Sequence, residues 1–176
     1  RRAIRPLAVP VAGPPPGRVL RISVQGTDRH GFFAGVDLHP WQIDIPHEDV
    51  EFPTGEARIP KDEVPKLEAS LEKLAAALER YGELAEGVTV FVAGHTDTVG
   101  DAEANLDLSE RRARAIGAWF REAGLRVPIR FAGFGESMLL VDTPDATDEP
   151  RNRRAEYIVA IDPPIFEGRS VRWRSL

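Results

Sequence analysis

Val88-Thr89-Val90-Phe91-Val92-Ala93, followed at once by Gly94-His95-Thr96-Asp97-Thr98-Val99-Gly100, is the stretch on which the fold turns. A continuous β-branched and aromatic run, with no polar alternation, makes a strand covered on both faces. Glycine ends it, and the polar residues massed just beyond a buried strand end are placed where loops carry sites. Downstream, the pattern predicts a helix from about Leu108 to Ala123 with Gly124 as its stop, then strands at Pro128–Phe134 and Glu156–Asp162, the last closed by Pro163-Pro164. Upstream, Pro60-Lys61-Asp62-Glu63 and Pro65 suit a helix start by dipole and first-turn proline. Leu67, Leu71, Leu74 and Leu78 then recur at helical spacing until Tyr81-Gly82. Before that helix, Asp49–Phe52 reads as a short strand limited by Pro53 and Gly55. Strand, helix, strand, helix, strand, strand is an α+β order. It implies a two-layer βαβαβ sandwich with the helices on one face of a mixed sheet.

The flanks read differently. Residues 1–18 hold Arg1, Arg2, Arg5 and Arg18 without an acid and run into Gly13-Pro14-Pro15-Pro16-Gly17, the composition of a linker or arm. Residues 19–45 carry two apolar runs around Gly26-Thr27-Asp28-Arg29 and read as an N-terminal β-hairpin extension, with a further strand at Trp41–Ile45. The central domain is expected at 46–162 and a C-terminal tail at 163–176. A chain of 176 residues suits one such core. Its 28 acids against 23 bases, net −5, argue against a general affinity for nucleic acid or anionic lipid. The absence of cysteine removes disulfides, thiolate metal sites and cysteine nucleophiles. No apolar run approaches the roughly 20 residues that span a bilayer. Arg1 opens the chain without a methionine or signal-type stretch, so a preceding segment is expected to have been removed.

One charge sits on the wrong side of its helix. At 100° per residue Leu108, Ala115, Ile116, Trp119 and Ala123 share a face, and Arg112 projects into the middle of it. In the first turn and a half, where the dipole disfavours a cation, that guanidinium needs an anion or a pocket; the alternatives are an internal salt bridge or a side chain that snorkels past Leu108. Asp97 is the natural second member, just past the buried strand, although an Asx-turn is the plainer role for a lone Thr-Asp. Together a carboxylate and a guanidinium on one rim receive a zwitterion such as an amino-acid head group, with Arg112 binding the carboxylate in fork geometry. The nearby helix N-terminus would favour the same carboxylate, with Asn105 beside it.

Gly94-His95-Thr96-Asp97, Asn105-Leu106-Asp107-Leu108-Ser109-Glu110-Arg111-Arg112-Ala113, Gly133-Phe134-Gly135-Glu136 and Asn152-Arg153-Arg154, in that order, closely resemble the OmpA-like C-terminal domain family. The resemblance spans roughly Pro46 to Asp162. It implies a domain that binds peptidoglycan non-covalently through the diaminopimelate of its stem peptide, in the periplasm and cell envelope at the outer membrane. An outer-membrane anchor is then expected in the removed segment, in a partner or in the wall itself. It also implies that Asp97 holds the ligand's ammonium and Arg112 its carboxylate, with Thr96, Asn105 and Arg153 lining the pocket. Arg153 and Arg154 equally suit strand-end salt bridges. One departure stands out: where the family commonly has an aspartate after the aromatic of the first strand, this chain has Phe52-Pro53, which removes a carboxylate and a backbone donor.

An enzyme would start from His95 and Asp97, but His30, His39 and His47 lie far upstream without motif spacing, so neither a metal nor another cofactor is expected. Glu136 lacks a partner for acid–base work. The expectation is a binding module and no enzyme. The alternative is an OmpA-like scaffold with a weakened or repurposed pocket, docking protein partners through the N-terminal extension and the tail with Arg169, Arg172 and Arg174.

Overall fold

The computed structural model describes residues 22–38, 42–53, 55–81, 87–166 and 171–176, so the expected arm at 1–18 lies outside the described residues. β1 (Ile22–Thr27) and β2 (Phe33–Leu38) form an antiparallel hairpin with Val24 opposite Val36. Its turn is closed by Asp28, whose carboxylate accepts from the backbone N–H of His30 at 2.8 Å and of Phe32 at 3.0 Å.

The main sheet is built from β3 (Gln42–Asp44), β4 (Thr89–His95), β5 (Ile129–Gly135), β6 (Ala155–Ala160) and β7 (Arg174–Ser175), in the order β3-β6-β4-β5-β7. β4 and β5 are parallel; β6 runs antiparallel to β4, β3 to β6 and β7 to β5. Two helices, α1 (Val64–Tyr81) and α2 (Ala102–Glu122), complete the mixed α+β sandwich, and α2 is the crossover between the parallel pair. Among the described residues no helix is long and apolar enough to cross a membrane.

Several expectations are corrected. Asp49–Phe52 is not a strand. Its backbone groups are met by side chains of the helix region instead: Lys66 Nζ donates to Asp49 O at 3.1 Å, and Glu51 N donates to Glu63 Oε2 at 2.8 Å. The edge strand is β3, from the run read as part of the extension, so that piece joins the main sheet. α2 begins at Ala102, well before Leu108, because Asp101 caps it by accepting from Glu103 N at 2.9 Å and Ala104 N at 3.1 Å. Arg112 therefore lies midway along the helix, away from its N-terminus, where the N–H groups of Glu103 and Ala104 are taken by the cap. The buried face of α2 is also shifted: it runs through Asn105, Ser109, Arg112, Ala113, Ile116, Gly117 and Phe120, while Ala123 is exposed.

β4 is buried at every position, as its composition requires. Alternation along the strand sends Val90 and Val92 into the cluster under the helices, with Leu67, Leu74, Ile116 and Phe120. Phe91 and Ala93 face the other way, where Phe166, Val171 and Trp173 pack over Phe91, Ile158, Ala132 and Phe134. The tail thus closes the second face, and Arg174, read as a docking residue, pairs with Glu110 of α2 at 2.7 Å. Arg169 lies outside the described residues.

Candidate ligand-binding site

α2 reaches the ends of β4 and β5 because two paired glycines leave room for it. Gly94 and Gly133 are opposite one another in the parallel ladder. A Cβ at Gly94 would lie 2.3 Å from Ser109 O, and one at Gly133 only 2.5 Å from Glu110 N. Backbone therefore packs on backbone. Ser109 Oγ, fully buried, accepts from Gly135 N at 2.9 Å and donates to Leu106 O at 2.8 Å, fastening the first half of α2 to the end of β5. This contact brings Asn105 and Arg112 to the loop that follows β4.

Arg112 does not reach out to solvent. It is 8% exposed. Its Nε donates to Glu56 O at 3.0 Å and an Nη to Pro53 O at 3.2 Å, and its guanidinium carbon lies 5.0 Å from the centre of the Phe52 ring. Among the described residues it makes no ion pair with a carboxylate. Burial, then the Arg153 charge, push the guanidinium below its ordinary pKa, while Asp97 acts through space to raise it. A delocalised cation fixed by two neutral carbonyls and a ring is oriented but not neutralised. Phe52, Pro53 and Glu56 were not legible as Arg112's supports. The Phe52-Pro53 pair draws notice for what proline removes, whereas the structure uses what its carbonyl supplies.

Asp97 is buried and already engaged. Its Oδ1 accepts from Val99 N at 3.3 Å, the Asx-turn contact, and its Oδ2 accepts from Arg153 Nη1 at 2.5 Å. The same Arg153 nitrogen donates to Asp148, a residue without any sequence signal. Burial lowers the Arg153 pKa, but its bonds to Asp97 and Asp148 outweigh that and hold it above its ordinary value. Asn105 Nδ2 donates to Glu136 Oε2 at 2.7 Å, Val99 O at 3.2 Å and Asp97 O at 3.4 Å, so it braces the loop that carries Asp97 and gives Glu136 a partner. Thr96 is buried; its N–H donates to Gly135 O at 2.9 Å and its hydroxyl finds no partner among the described residues. Arg154 pairs with Glu156 at 2.8 Å, the strand-end bridge.

A cavity of about 670 Å³ opens beside these groups, with Phe52, Lys66, His95, Arg112, Arg153 and Arg154 among its lining; Asp97, Thr96 and Asn105 do not line it. His95 stacks on Phe134 with ring centres 5.0 Å apart. Its burial, and secondarily Arg154, push its pKa down to about 3, so the ring is neutral. Among the described residues no group of three or more His, Asp or Glu side chains is placed to hold a metal ion. What the site offers is a fixed guanidinium for an anion and, behind Arg153, a buried carboxylate for a cation.

Comparisons with known proteins agree with this architecture. The OmpA family matches residues 51–153. The outer-membrane lipoprotein YfiB of Pseudomonas aeruginosa is 42% identical over 71 residues, covering 40% of this chain and 42% of that protein. The peptidoglycan-associated lipoprotein of Legionella pneumophila is 38% identical over 73 residues, covering 41% of this chain and 42% of that protein. The chain spans less than half the length of either relative. In fold, the periplasmic domain of Helicobacter pylori MotB is similar with a TM-score of 0.51 at 18% identity, covering 69% of this chain and 83% of that one. The family match takes in more than half of the sequence, including Asp97, Arg112 and Arg153, and the chain belongs to the OmpA family.

Proposed function

We propose that this chain binds peptidoglycan non-covalently through the diaminopimelate of the stem peptide, and so tethers an envelope protein or assembly to the cell wall. Arg112 carries the reading. A buried guanidinium held by the carbonyls of Pro53 and Glu56, with no acid paired to it among the described residues, is completed by a ligand carboxylate in fork geometry. Asp97 takes the ligand's ammonium, and Thr96 and Asn105 hold its loop. Pro53 brings no side-chain charge to this position, and its backbone carbonyl accepts from Arg112 without neutralising it. The module binds and does not catalyse. A periplasmic place at the outer membrane is supported by the names of its relatives, an outer-membrane lipoprotein and a peptidoglycan-associated lipoprotein.

Sedimentation with insoluble diaminopimelate-type sacculi tests this. The wild type should pellet, and Asp97→Ala or Arg112→Ala should each lose about 2–5 kcal/mol of binding, because truncating one partner strands the opposite charge. A wild type that stays in the supernatant would sink the proposal. It would promote the scaffold reading, which the exposed Val24, Phe32 and Val36 of the hairpin favour as an apolar surface for a protein partner. Soluble wall fragments released by the protein would instead point to an enzyme.

A further inference from the structure

Arg153 occupies the place where a ligand's ammonium would meet Asp97. Its Nη1 donates to Asp97 Oδ2 at 2.5 Å and to Asp148 Oδ1 at the same time. The three side chains form a gradient from inside to outside, at 8% exposure for Asp97, 39% for Arg153 and 75% for Asp148. A buried carboxylate is costly to leave unpaired, so Asp97 needs a cation from within the chain whenever no ligand supplies one. Arg153 is that cation. It is also half outside, on the loop leading into β6, with a second carboxylate nearer to solvent that can keep it once it lets go.

We propose that Arg153 is an internal stand-in for the ligand's ammonium, and that Asp148 is the positioning residue that lets it yield; the proposal rests on the diaminopimelate reading above. Binding is then an exchange. The ligand's ammonium takes the Asp97 oxygen, and Arg153 moves wholly onto Asp148. No proton or covalent bond changes hands. Affinity becomes the difference between two cations competing for Asp97, biased by the acceptor that Asp148 provides to the loser. The exchange also selects. A ligand with a carboxylate alone reaches Arg112 but gives Asp97 nothing in return for Arg153, so it leaves the internal pair in place.

Titration calorimetry of the whole chain with meso-diaminopimelic acid, and with pimelic acid as the same carbon chain lacking both amines, separates these cases. Arg153→Gln removes the competitor and should tighten diaminopimelic acid by about threefold to fivefold, the scale of a partly exposed charge pair, while giving pimelic acid no gain, because loss of a cation from the shared cavity cannot help a ligand that is only anionic. Asp148→Asn, at an exposed position that does not endanger folding, should weaken diaminopimelic acid by a similar factor. In the Arg153→Gln background it should have no effect, because its only action is through Arg153. Weaker binding of diaminopimelic acid by Arg153→Gln would make Arg153 a direct ligand contact and overturn the exchange. So would an Asp148→Asn effect that is equal in both backgrounds. If the wild type binds neither sacculi nor diaminopimelic acid, the functional reading and the exchange fall together. If it binds both and the variants behave otherwise, only the exchange falls.

Discussion

Replacing Gly94 with alanine should prise α2 from the end of the sheet. The new Cβ would lie 2.3 Å from Ser109 O, where ordinary contact begins at 3.4 Å, so strand and helix must part by about 1.1 Å. Both atoms are fixed to backbone, and no rotamer relieves the overlap. Gly94 is not among the glycines with positive φ. On conformation alone the change would stabilise by about 0.4–1 kcal/mol through the unfolded chain. Overpacking costs about 1–3 kcal/mol and reverses the sign. The net loss is then up to about 2.6 kcal/mol, and in a chain of this size each kcal/mol is worth about 2–4 °C, so the melting temperature should fall by up to roughly 10 °C. The same displacement carries Arg112 away from Asp97, so retention on sacculi should fall even where the variant remains folded. Thermal unfolding followed by circular dichroism reads the first effect. Gly117→Ala is the control: its Cβ meets side-chain atoms and no backbone across the interface, Ile129 Cγ2 at 3.2 Å and Leu176 Cδ1 at 3.8 Å, and alanine gains helix propensity, so it should melt much closer to the wild type than Gly94→Ala. A Gly94→Ala protein that melts at or above the wild type would refute the backbone-on-backbone packing.

His95 should make the fold acid-sensitive. Its pKa is held at about 3 when folded, against 6.5 ordinarily, so the unfolded chain binds the extra proton between those values. Stability is then full above pH 6.5 and falls as pH drops toward 3, by at most about 1.4 kcal/mol per unit. Urea midpoints across that window should fall more steeply for the wild type than for His95→Gln; equal slopes would remove His95 as a cause. Trp173, edge-on to Phe91 at 4.9 Å and 6.3 Å from Phe134, covers the face of the sheet opposite the helices. Being half-buried, it should cost about 2 kcal/mol on change to alanine, less than a fully buried aromatic. An unchanged urea midpoint would mean that the tail does not close that face.

Local pattern was enough for β4, α1, the body of α2 and the fold class, because a strand's two faces and a helix's stripe recur at fixed short intervals along the chain. It was enough, too, for the unusual position of Arg112, a charge out of phase with its own helix. Hydrophobic phase could not place the start of α2, since Asn105 and Ser109 are buried for hydrogen bonding and Gly117 has little side chain to hide. Nor could it place the edge strand: Asp49–Phe52 has the right alternation, yet its backbone is met by Lys66 and Glu63, residues identified as partners only by the folded chain. The site divides in the same way. Asp97 and Arg112 are legible as opposite charges on two motifs. That Arg112 rests on Pro53, 59 residues away, and that Arg153, 56 residues away, already holds Asp97 are decided by tertiary structure alone. Sequence spacing sets which face a side chain takes within its own element; which charge meets which across the molecule depends on how the elements pack, and that leaves no periodic trace in the chain.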